Sequence, residues 1–337
     1  MEKRSICILF GGKSGEHEVS CRSAASVCRN LDPKRYAQVL IGIDREGRWC
    51  HQRQARFQPT DYGERLEVAA GGEAVSIAPG AGLHTPSGAL DVQVVFPVLH
   101  GTFGEDGTVQ GLLETADLPY VGAGVLGSAL AMDKQKSKEL WKHSGLPIVE
   151  YVIVQDDSQG SIAEIRKRFD TPLFVKPVTA GSSVGISKVH RLDELRPAIV
   201  KALRFDERAM VEPAVDAREI ECAVLGNEKP QAFMPGEILP AHEFYSYEAK
   251  YIDPEGARLL LPADLPDALS RKIRDLAVDA YRAVACAGMA RVDFFLERSS
   301  GRILLNEINT IPGFTNISMY PRCAKPPGCP MQNCSIA

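Results

Sequence analysis

Short apolar runs alternate along the chain with segments of helical period. Ser5 to Phe10 is an apolar run, Gly11 to Gly15 a loop, and Glu18, Val19, Ala24, Val27 and Leu31 then recur at near-helical spacing. Val39 to Ile43 and Asp91 to Leu99 read as strands, Thr108 to Ala116 as a helix and Pro119 to Val121 as a short strand. This β-α-β rhythm predicts a doubly wound parallel sheet. Residues 52–90 are polar and punctuated by Gly and Pro, which predicts short strands at a domain edge.

The rhythm changes near Asp133. A helix from Lys134 to Ser144 precedes strands at Tyr151 to Val154 and Leu173 to Val175. A glycine-bearing hairpin (Gly181 to Val189), a helix (Leu192 to Arg204) and a strand (Ala209 to Glu212) complete an α+β block. From about Asp216 a last block opens with the strand Glu219 to Leu225. Its amphipathic helix, Ser270 to Cys286, puts Ile273, Leu276, Ala277, Ala280 and Val284 on one face. Strands at Ala290 to Leu296 and Arg302 to Glu307 follow. The expected fold class is α/β and α+β. Residues 1–133 form a Rossmann-like doubly wound domain, 134–215 and 216–322 two α+β subdomains, and 323–337 an aberrant tail.

Composition narrows the function classes. The 337 residues are 45% hydrophobic and 24% charged, ordinary globular usage for two or three packed domains. Lys plus Arg is 39 against 43 for Asp plus Glu, so the net charge of -4 argues against a nucleic-acid partner. Ile6 to Phe10 is too short for a membrane span or a signal segment, and a cytoplasmic protein with no membrane partner is expected. Of nine cysteines, Cys7, Cys21, Cys28, Cys50, Cys222 and Cys286 are scattered without a C-x-x-C pair, against a disulfide framework or zinc ribbon. Cys323, Cys329 and Cys334 crowd the C-terminus.

Two motifs fail on inspection. Gly12-Lys13-Ser14 lacks the glycine that a Walker A loop needs five positions earlier, where Cys7 stands inside a strand. Gly122-x-Gly124-x-x-Gly127 has the dinucleotide spacing but no acidic residue at the ribose offset, so close packing is the better use of its glycines.

The chemistry lies elsewhere. Period-2 alternation puts Arg291 with Asp293, and Glu307 with Asn309, on strand faces. If the two strands pair, Asp293, Glu307 and Asn309 form a hard oxygen cluster suited to Mg²⁺ carrying nucleotide phosphates. Lys176 ends an apolar strand, and the loop after it holds Gly181, Ser182, Ser183 and Gly185, a set that can wrap phosphates or serve as a plain hairpin. Glu212 and Glu219 bracket a strand junction, where they can accept from adenine and ribose or stand as solvated turn carboxylates.

Together these stretches resemble the D-alanine–D-alanine ligases of the ATP-grasp superfamily. The resemblance rests on Phe10-Gly-Gly-Lys-Ser-Gly-Glu16-His-Glu-Val-Ser20, His100-Gly-Thr-Phe-Gly-Glu-Asp-Gly107, Met132-Asp-Lys134, and Lys176-Pro with Gly181-Ser-Ser-Val-Gly185. It continues through Tyr245-Ser-Tyr-Glu-Ala-Lys-Tyr251, Ala290-Arg-Val-Asp293 and the run Asn306 to Ser318, all in family order. It implies an ATP-grasp fold of two α+β subdomains after the N-terminal domain. It also implies ATP-driven joining of two D-alanines through an acyl phosphate, for peptidoglycan precursors. Such chemistry needs no covalent enzyme nucleophile and rests on positioning, worth ~7–11 kcal/mol. Alternative readings are a D-lactate-using or other ATP-grasp ligase, and an inactive nucleotide-binding remnant.

The resemblance also implies roles. Lys134, Lys176 and Lys250 contact the ATP phosphates, and Glu212 and Glu219 accept from adenine and ribose. Asp293, Glu307 and Asn309 hold two Mg²⁺ ions, for which Mn²⁺ can substitute. Glu16 holds the ammonium of the first D-alanine, with Ser182 and Tyr251 as hydrogen-bond companions and His100 beside it. Arg291 and the Gly313 N–H stabilise the oxyanion, and Ser318 with the Met319 N–H takes the second carboxylate, helped by a helix N-terminus. The intact Lys250-Tyr251 pair implies D-alanine rather than D-lactate as acceptor. A homodimer is implied as well.

Family members continue with helices after Tyr320-Pro321, where Pro326, Pro327 and Pro330 forbid a regular helix here. Back-translating Cys323 to Ala337 with GC-rich codons and shifting the frame yields REAAGLPHAELLDR, a helix-like segment. A frameshift near residue 322, with lower stability as its consequence, is the corresponding expectation.

Overall fold

The computed structural model describes residues 3–61, 63–240, 257–315 and 317–324. Three principal sheets of five, four and six strands carry the described chain. The first has the order β10-β1-β2-β3-β6, from β1 (Arg4–Gly11), β2 (Tyr36–Ile43), β3 (Trp49–Gln52), β6 (Glu73–Ala74) and β10 (Val94–Val98). β1 runs parallel to both β2 and β10. All of β1 beyond Arg4 is buried because both faces are covered. Ile6, Ile8 and Phe10 pack with α1 (His17–Asn30), and Cys7 and Leu9 pack with α2 (Thr108–Thr115) on the opposite face. The doubly wound arrangement expected from the pattern is present.

Residues between β3 and β10 form small edge structures. β4 (Phe57–Thr60) pairs with β5 (Gly63–Leu66), and β7 (Ser76–Ala78), β8 (Gly82–Thr85) and β9 (Gly88–Ala89) make a three-stranded meander. The expected strand at 119–121 is only a single bridge, Tyr120 to Val95. Pro119 offers no N–H, and Gly122 turns the chain away at positive φ.

The second sheet is antiparallel, ordered β11-β14-β12-β13: β11 (Val152–Val154), β12 (Leu173–Pro177), β13 (Ser187–Val189) and β14 (Ala209–Pro213). α5 (Gln159–Arg168) and α6 (Leu195–Ala202) cover it. The sequence pattern does not announce α5, because Ile165 is its single buried residue; the Ser158 hydroxyl caps it by accepting the Ser161 N–H at 3.2 Å.

The third sheet is ordered β18-β17-β15-β19-β20, with β16 on β15. Its strands are β15 (Ala217–Leu225), β16 (Gln231–Ala232), β17 (Gly236–Pro240), β18 (Ala257–Leu260), β19 (Met289–Glu297) and β20 (Ile303–Asn309). α7 (Asp267–Ala283) packs Ile273, Ala277, Ala280 and Tyr281 against it. The same core takes α3 (Val125–Met132) and α4 (Lys134–His143): Trp141 is fully buried and donates from Nε1 to the Ala280 carbonyl at 3.0 Å. The start of α4 faces the second sheet, where the Lys134 N–H reaches the Val178 carbonyl at 3.2 Å. Gly127 serves close packing, since a Cβ there would lie 2.5 Å from the Ala285 carbonyl oxygen, whereas a Cβ on Gly122 would meet nothing and that glycine is needed for its φ of +112°.

The core against α1 runs on into the third sheet through Met289, Ala223 and Ile238. It ends on α8 (Met319–Cys323), whose Met319, Tyr320 and Cys323 are buried. Cys323 was expected to begin a tail foreign to the fold, yet it sits in this core, 5% exposed. Cys329, Cys334 and the tail prolines lie outside the described residues.

Candidate active site

A single cavity collects side chains from all three sheets. Glu16 and His100 come from the first sheet's loops, Lys134 from the start of α4, and Ser182 from the loop between β12 and β13. Arg291, Glu307 and Asn309 come from β19 and β20, and Gly313, Ser318 and Met319 from the segment leading into α8. Lys176, Glu212, Glu219 and Asp293 are not on its wall. Lys250 and Tyr251 lie outside the described residues.

β19 and β20 pair antiparallel with Arg291 opposite Asn309 and Asp293 opposite Glu307, so all four side chains share one sheet face. A bulge between Asp293 and Phe294 shifts the register beside the cavity, a common way to re-aim a side chain. Arg291 grips Asp293 with two bonds of 2.7 Å (Nε to Oδ1, Nη2 to Oδ2) and lies 3.2 Å from Glu221 Oε2. Burial opposes the Arg291 charge, but Asp293 and Glu221 outweigh it and hold the guanidinium cationic. Asn309 Nδ2 donates to Asp293 Oδ2 at 3.1 Å. Among the described residues no group of three or more His, Cys, Asp or Glu converges as a metal cage. The donor set nevertheless fits a hard cation: two carboxylates and an amide oxygen share one face, with no nitrogen or sulfur ligand offered.

Glu16 stands at the cap position of α1 but makes no side-chain capping bond. Its Oε1 instead accepts from the Ser182 hydroxyl, across 166 residues of chain. Oε2 lies between two glycines: a Cβ would come within 2.4 Å of it from Gly101 and 3.0 Å from Gly181. Gly101 is doubly required, since its φ of +74° is also left-handed. The Ser182 loop is held in the same strained region, with φ of 47° at Ser182 and 61° at Ser183. It is anchored by the Thr179 N–H on Asp206 at 2.7 Å and by Lys134 Nζ on the Ala180 carbonyl at 2.6 Å.

His100 is buried between the first sheet and the 311–314 segment. Nδ1 lies 2.9 Å from the Ile311 carbonyl, which can only accept, so Nδ1 carries the proton. Nε2 then accepts from Ser23 Oγ at 3.0 Å, and Ser23 Oγ accepts the Phe314 N–H at 3.2 Å. Burial pushes the imidazole down to about 4, so it is neutral in this clasp. Beside it Glu105 accepts the Gly101 N–H at 2.7 Å and the Ile311 N–H at 3.1 Å. Burial, reinforced by the charge of Glu16, pushes Glu105 up to about 8. The clasp presents Gly313 and Ser318: a Cβ on Gly313 would lie 2.8 Å from Ser318 Oγ, which itself accepts the Thr315 N–H at 3.1 Å. α8 spans only five residues, so the helix-terminal help expected for an anion at Ser318 is small.

A second buried group lies between α4 and the second sheet. Glu212 Oε1 is 2.5 Å from Lys138 Nζ and Oε2 is 2.5 Å from Lys176 Nζ. Burial alone would raise the Glu212 carboxyl, yet the two ammonium groups bring it below the usual carboxylate range. Glu219 is half-buried on β15 and shares a face with Glu221, two residues on.

Sequence reasoning passed over Lys138, Glu105 and Glu221. Lys138 lies one helical turn after Lys134 and so shares its face, a signal available in the sequence. Glu105 sits inside the quoted His100–Gly107 stretch. Glu221 had only its alternation with Glu219 to mark it.

The chain is similar to known proteins along nearly its whole length. The D-ala D-ala ligase N-terminus family matches residues 5–123 and the D-ala D-ala ligase C-terminus family residues 140–334. The chain is 50% identical over 328 residues to a D-alanine–D-alanine ligase of Solibacter usitatus, covering 97% of this chain and 92% of that one. Among solved structures it is similar to the D-alanine–D-alanine ligase of Coxiella burnetii (TM-score 0.85, 37% identity, 99% of this chain and 92% of that). It is also similar to the D-Ala:D-Ser ligase VanG of Enterococcus faecalis (TM-score 0.85, 34% identity, 99% of this chain and 97% of that). With both halves matched and relatives aligned along nearly the whole length, the chain belongs to the D-alanine–D-alanine ligase family.

Proposed function

We propose that the protein is an ATP-dependent ligase that joins two D-alanines into D-alanyl-D-alanine for peptidoglycan synthesis. The observation that carries this is the single cavity joining an ammonium acceptor, Glu16, to a buried cation, Arg291, and a strand-borne oxygen face. Glu16, fixed by Ser182, takes the ammonium of the first D-alanine. An oxygen of that substrate's carboxylate attacks the γ-phosphorus of ATP, the bond to ADP breaks, and an acyl phosphate and ADP result. The second D-alanine, its ammonium having lost a proton to solvent, attacks the acyl carbon as the free amine, and phosphate leaves. Arg291 and the Gly313 N–H face the oxygen on which negative charge builds, and one such donor is typically worth ~2.7–4 kcal/mol. Ser318 and the Met319 N–H receive the second carboxylate, and His100 acts by holding the 311–314 segment in place. Lys134 and Lys176 neutralise phosphate, while Glu212 and Glu219 accept from adenine and ribose.

Asp293, Glu307 and Asn309 would hold Mg²⁺, which offsets phosphate charge when bound. This rests on their shared face and oxygen-only chemistry; Asp293 must loosen its hold on Arg291 to serve. A cytoplasmic homodimer is the matching setting. Among the described residues every cysteine is a free thiol, and no helix is long and apolar enough to cross a membrane. Leu112, Val125 and Leu126, exposed on the adjoining α2 and α3, offer an apolar face for a second copy.

The test is phosphate release by the purified protein, expected only when ATP, Mg²⁺ and D-alanine are all present. Release that ignores D-alanine would overturn the reading. Chromatography of products formed with D-alanine, D-serine and D-lactate as acceptors separates the ligase types, and D-alanyl-D-alanine is the expected product.

A further inference from the structure

The two lysines on Glu212 differ in what they can do. Lys138 is fully buried (0% side-chain exposure); among the described residues its Nζ, besides Glu212, has the Val149 carbonyl at 3.2 Å and the Tyr151 ring at 5.8 Å. Lys176 is 8% exposed at the end of β12, beside the loop that carries Ser182. A phosphate can reach Lys176 and draw it away, whereas Lys138 has no exposed surface for one to reach. If Lys176 leaves alone, Glu212 Oε2 is freed while Oε1 stays paired. A buried carboxylate stripped of both ammonium groups would take up a proton instead.

We propose that Lys138 is the positioning residue that keeps Glu212 an ionised acceptor for the exocyclic amine of adenine, with Lys176 as the partner that exchanges to phosphate. This rests on the ligase reading, and deepens it by naming what sets the choice of nucleotide. A carboxylate accepts from the adenine amine and repels the carbonyl that inosine carries at the same position. A protonated carboxyl can donate to that carbonyl, so losing Lys138 relaxes the choice. The charged and titratable groups facing Glu212 are Lys138 from α4, Lys176 from β12 and Tyr151 ahead of β11, with Glu307 of β20 acting on Lys138 from farther away.

The test is calorimetric binding of ATP and of inosine triphosphate to the full chain without D-alanine, so that no turnover intervenes. In Lys138→Met the ATP preference should fall about tenfold, the size of one charge-assisted hydrogen bond, and fall further as the pH is lowered. Lys138→Arg should keep it. A Lys138→Met protein that melts like the parent and keeps its preference overturns the proposal. Glu212→Gln should also lose the preference; if it does not, Glu212 does not face the base and the proposal fails with it. Should Lys138→Met not fold, the unmodified protein decides. Its preference should stay flat from about pH 8 to about pH 5.5, because the remaining Lys138 ammonium keeps Glu212 ionised, and a fall across that range would overturn the assignment. Failure of the ligase reading shows separately, as phosphate release by the unmodified protein that does not depend on D-alanine.

Discussion

Around Glu212, charge is compensated within one sheet and the helix beside it; around Glu16, nothing is complete until three parts of the chain meet. The Glu212 group draws on β12, β14 and α4 and is buried, with its ion pairs made before any ligand arrives. The Glu16 group depends on contacts spanning 166 residues to Ser182, and the neighbouring clasp on one spanning 211 from His100 to Ile311. On the proposed assignment the Glu212 group is the nucleotide pole, and being preformed it can bind at once. A pole assembled from loops can open to admit amino acids and close to exclude water, the usual division in enzymes that guard a reactive intermediate. Substitutions at the two poles should therefore fail differently.

The largest effect is expected at Arg291, where the amino-acid pole meets the oxygen face. Arg291→Met leaves Asp293 and Glu221 buried without their cation. Stability should fall by about 3–5 kcal/mol, and kcat/KM by about 10²- to 10³-fold where the fold survives. Urea unfolding with a phosphate-release assay measures both. A variant that is inactive but as stable as the parent would mean that the carboxylates find another partner, and would weaken the claim that this pole is held by Arg291.

The pH dependence of stability separates the clasp from the nucleotide pole. His100 falls from 6.5 to about 4 on folding, so its contribution is present above pH 6.5 and is lost as the pH drops toward 4, about 3 kcal/mol in all. Glu105 moves the other way, from 4.5 to about 8; its contribution is present below pH 4.5 and is lost as the pH rises through 8. The clasp should thus loosen on both sides of a plateau between about pH 4.5 and about pH 6.5. Glu105→Gln should remove the alkaline slope and His100→Asn the acid one, measured by thermal melts across pH. Unchanged slopes in both variants would mean the clasp does not govern stability.

The same contrast explains what the sequence made legible. Alternation put Arg291 with Asp293 on β19 and Glu307 with Asn309 on β20, and the nearly local pairing of these adjacent strands brings the two pairs onto one face. The doubly wound sheet was equally readable from its apolar runs. The clasp was not: Glu105 and His100 act through backbone groups of residues 311 and 314, and no periodicity encodes a partner 206 residues away. The union of Arg291 with Asp293 was hidden too, since alternation says that two residues share a face and not whether they pair or wait for a cation. Short-range geometry fixed α5 as well, through one cap and one buried isoleucine, too little apolar pattern to see.

Smaller effects sharpen the comparison. Glu16→Gln removes the charge that an ammonium would seek but keeps an acceptor for Ser182. A loss of about 10- to 100-fold in kcat/KM for D-alanine is expected, with KM for ATP and the melting temperature little changed. An equal rise in both KM values would show that the two poles are coupled and not separately built.

The smallest effect expected to be measurable lies at the entry to α4. Asp133 caps this helix, accepting the Lys136 N–H at 2.9 Å, and its other oxygen takes Arg208 Nη2 at 2.7 Å. That pair ties the first turn, with Lys134, to the strand end that carries β14. Asp133→Ala should cost about 1 kcal/mol through the lost cap and raise KM for ATP without touching KM for D-alanine. Lys142, at the far end of the same helix, pairs with Glu150 in solvent, their side chains 60% and 63% exposed, and Lys142→Ala should leave melting temperature and kinetics alike unmoved. If the two substitutions behave alike, the nucleotide pole does not depend on where α4 begins, and the preformed character assigned to it must come from the Lys138–Glu212 contact alone.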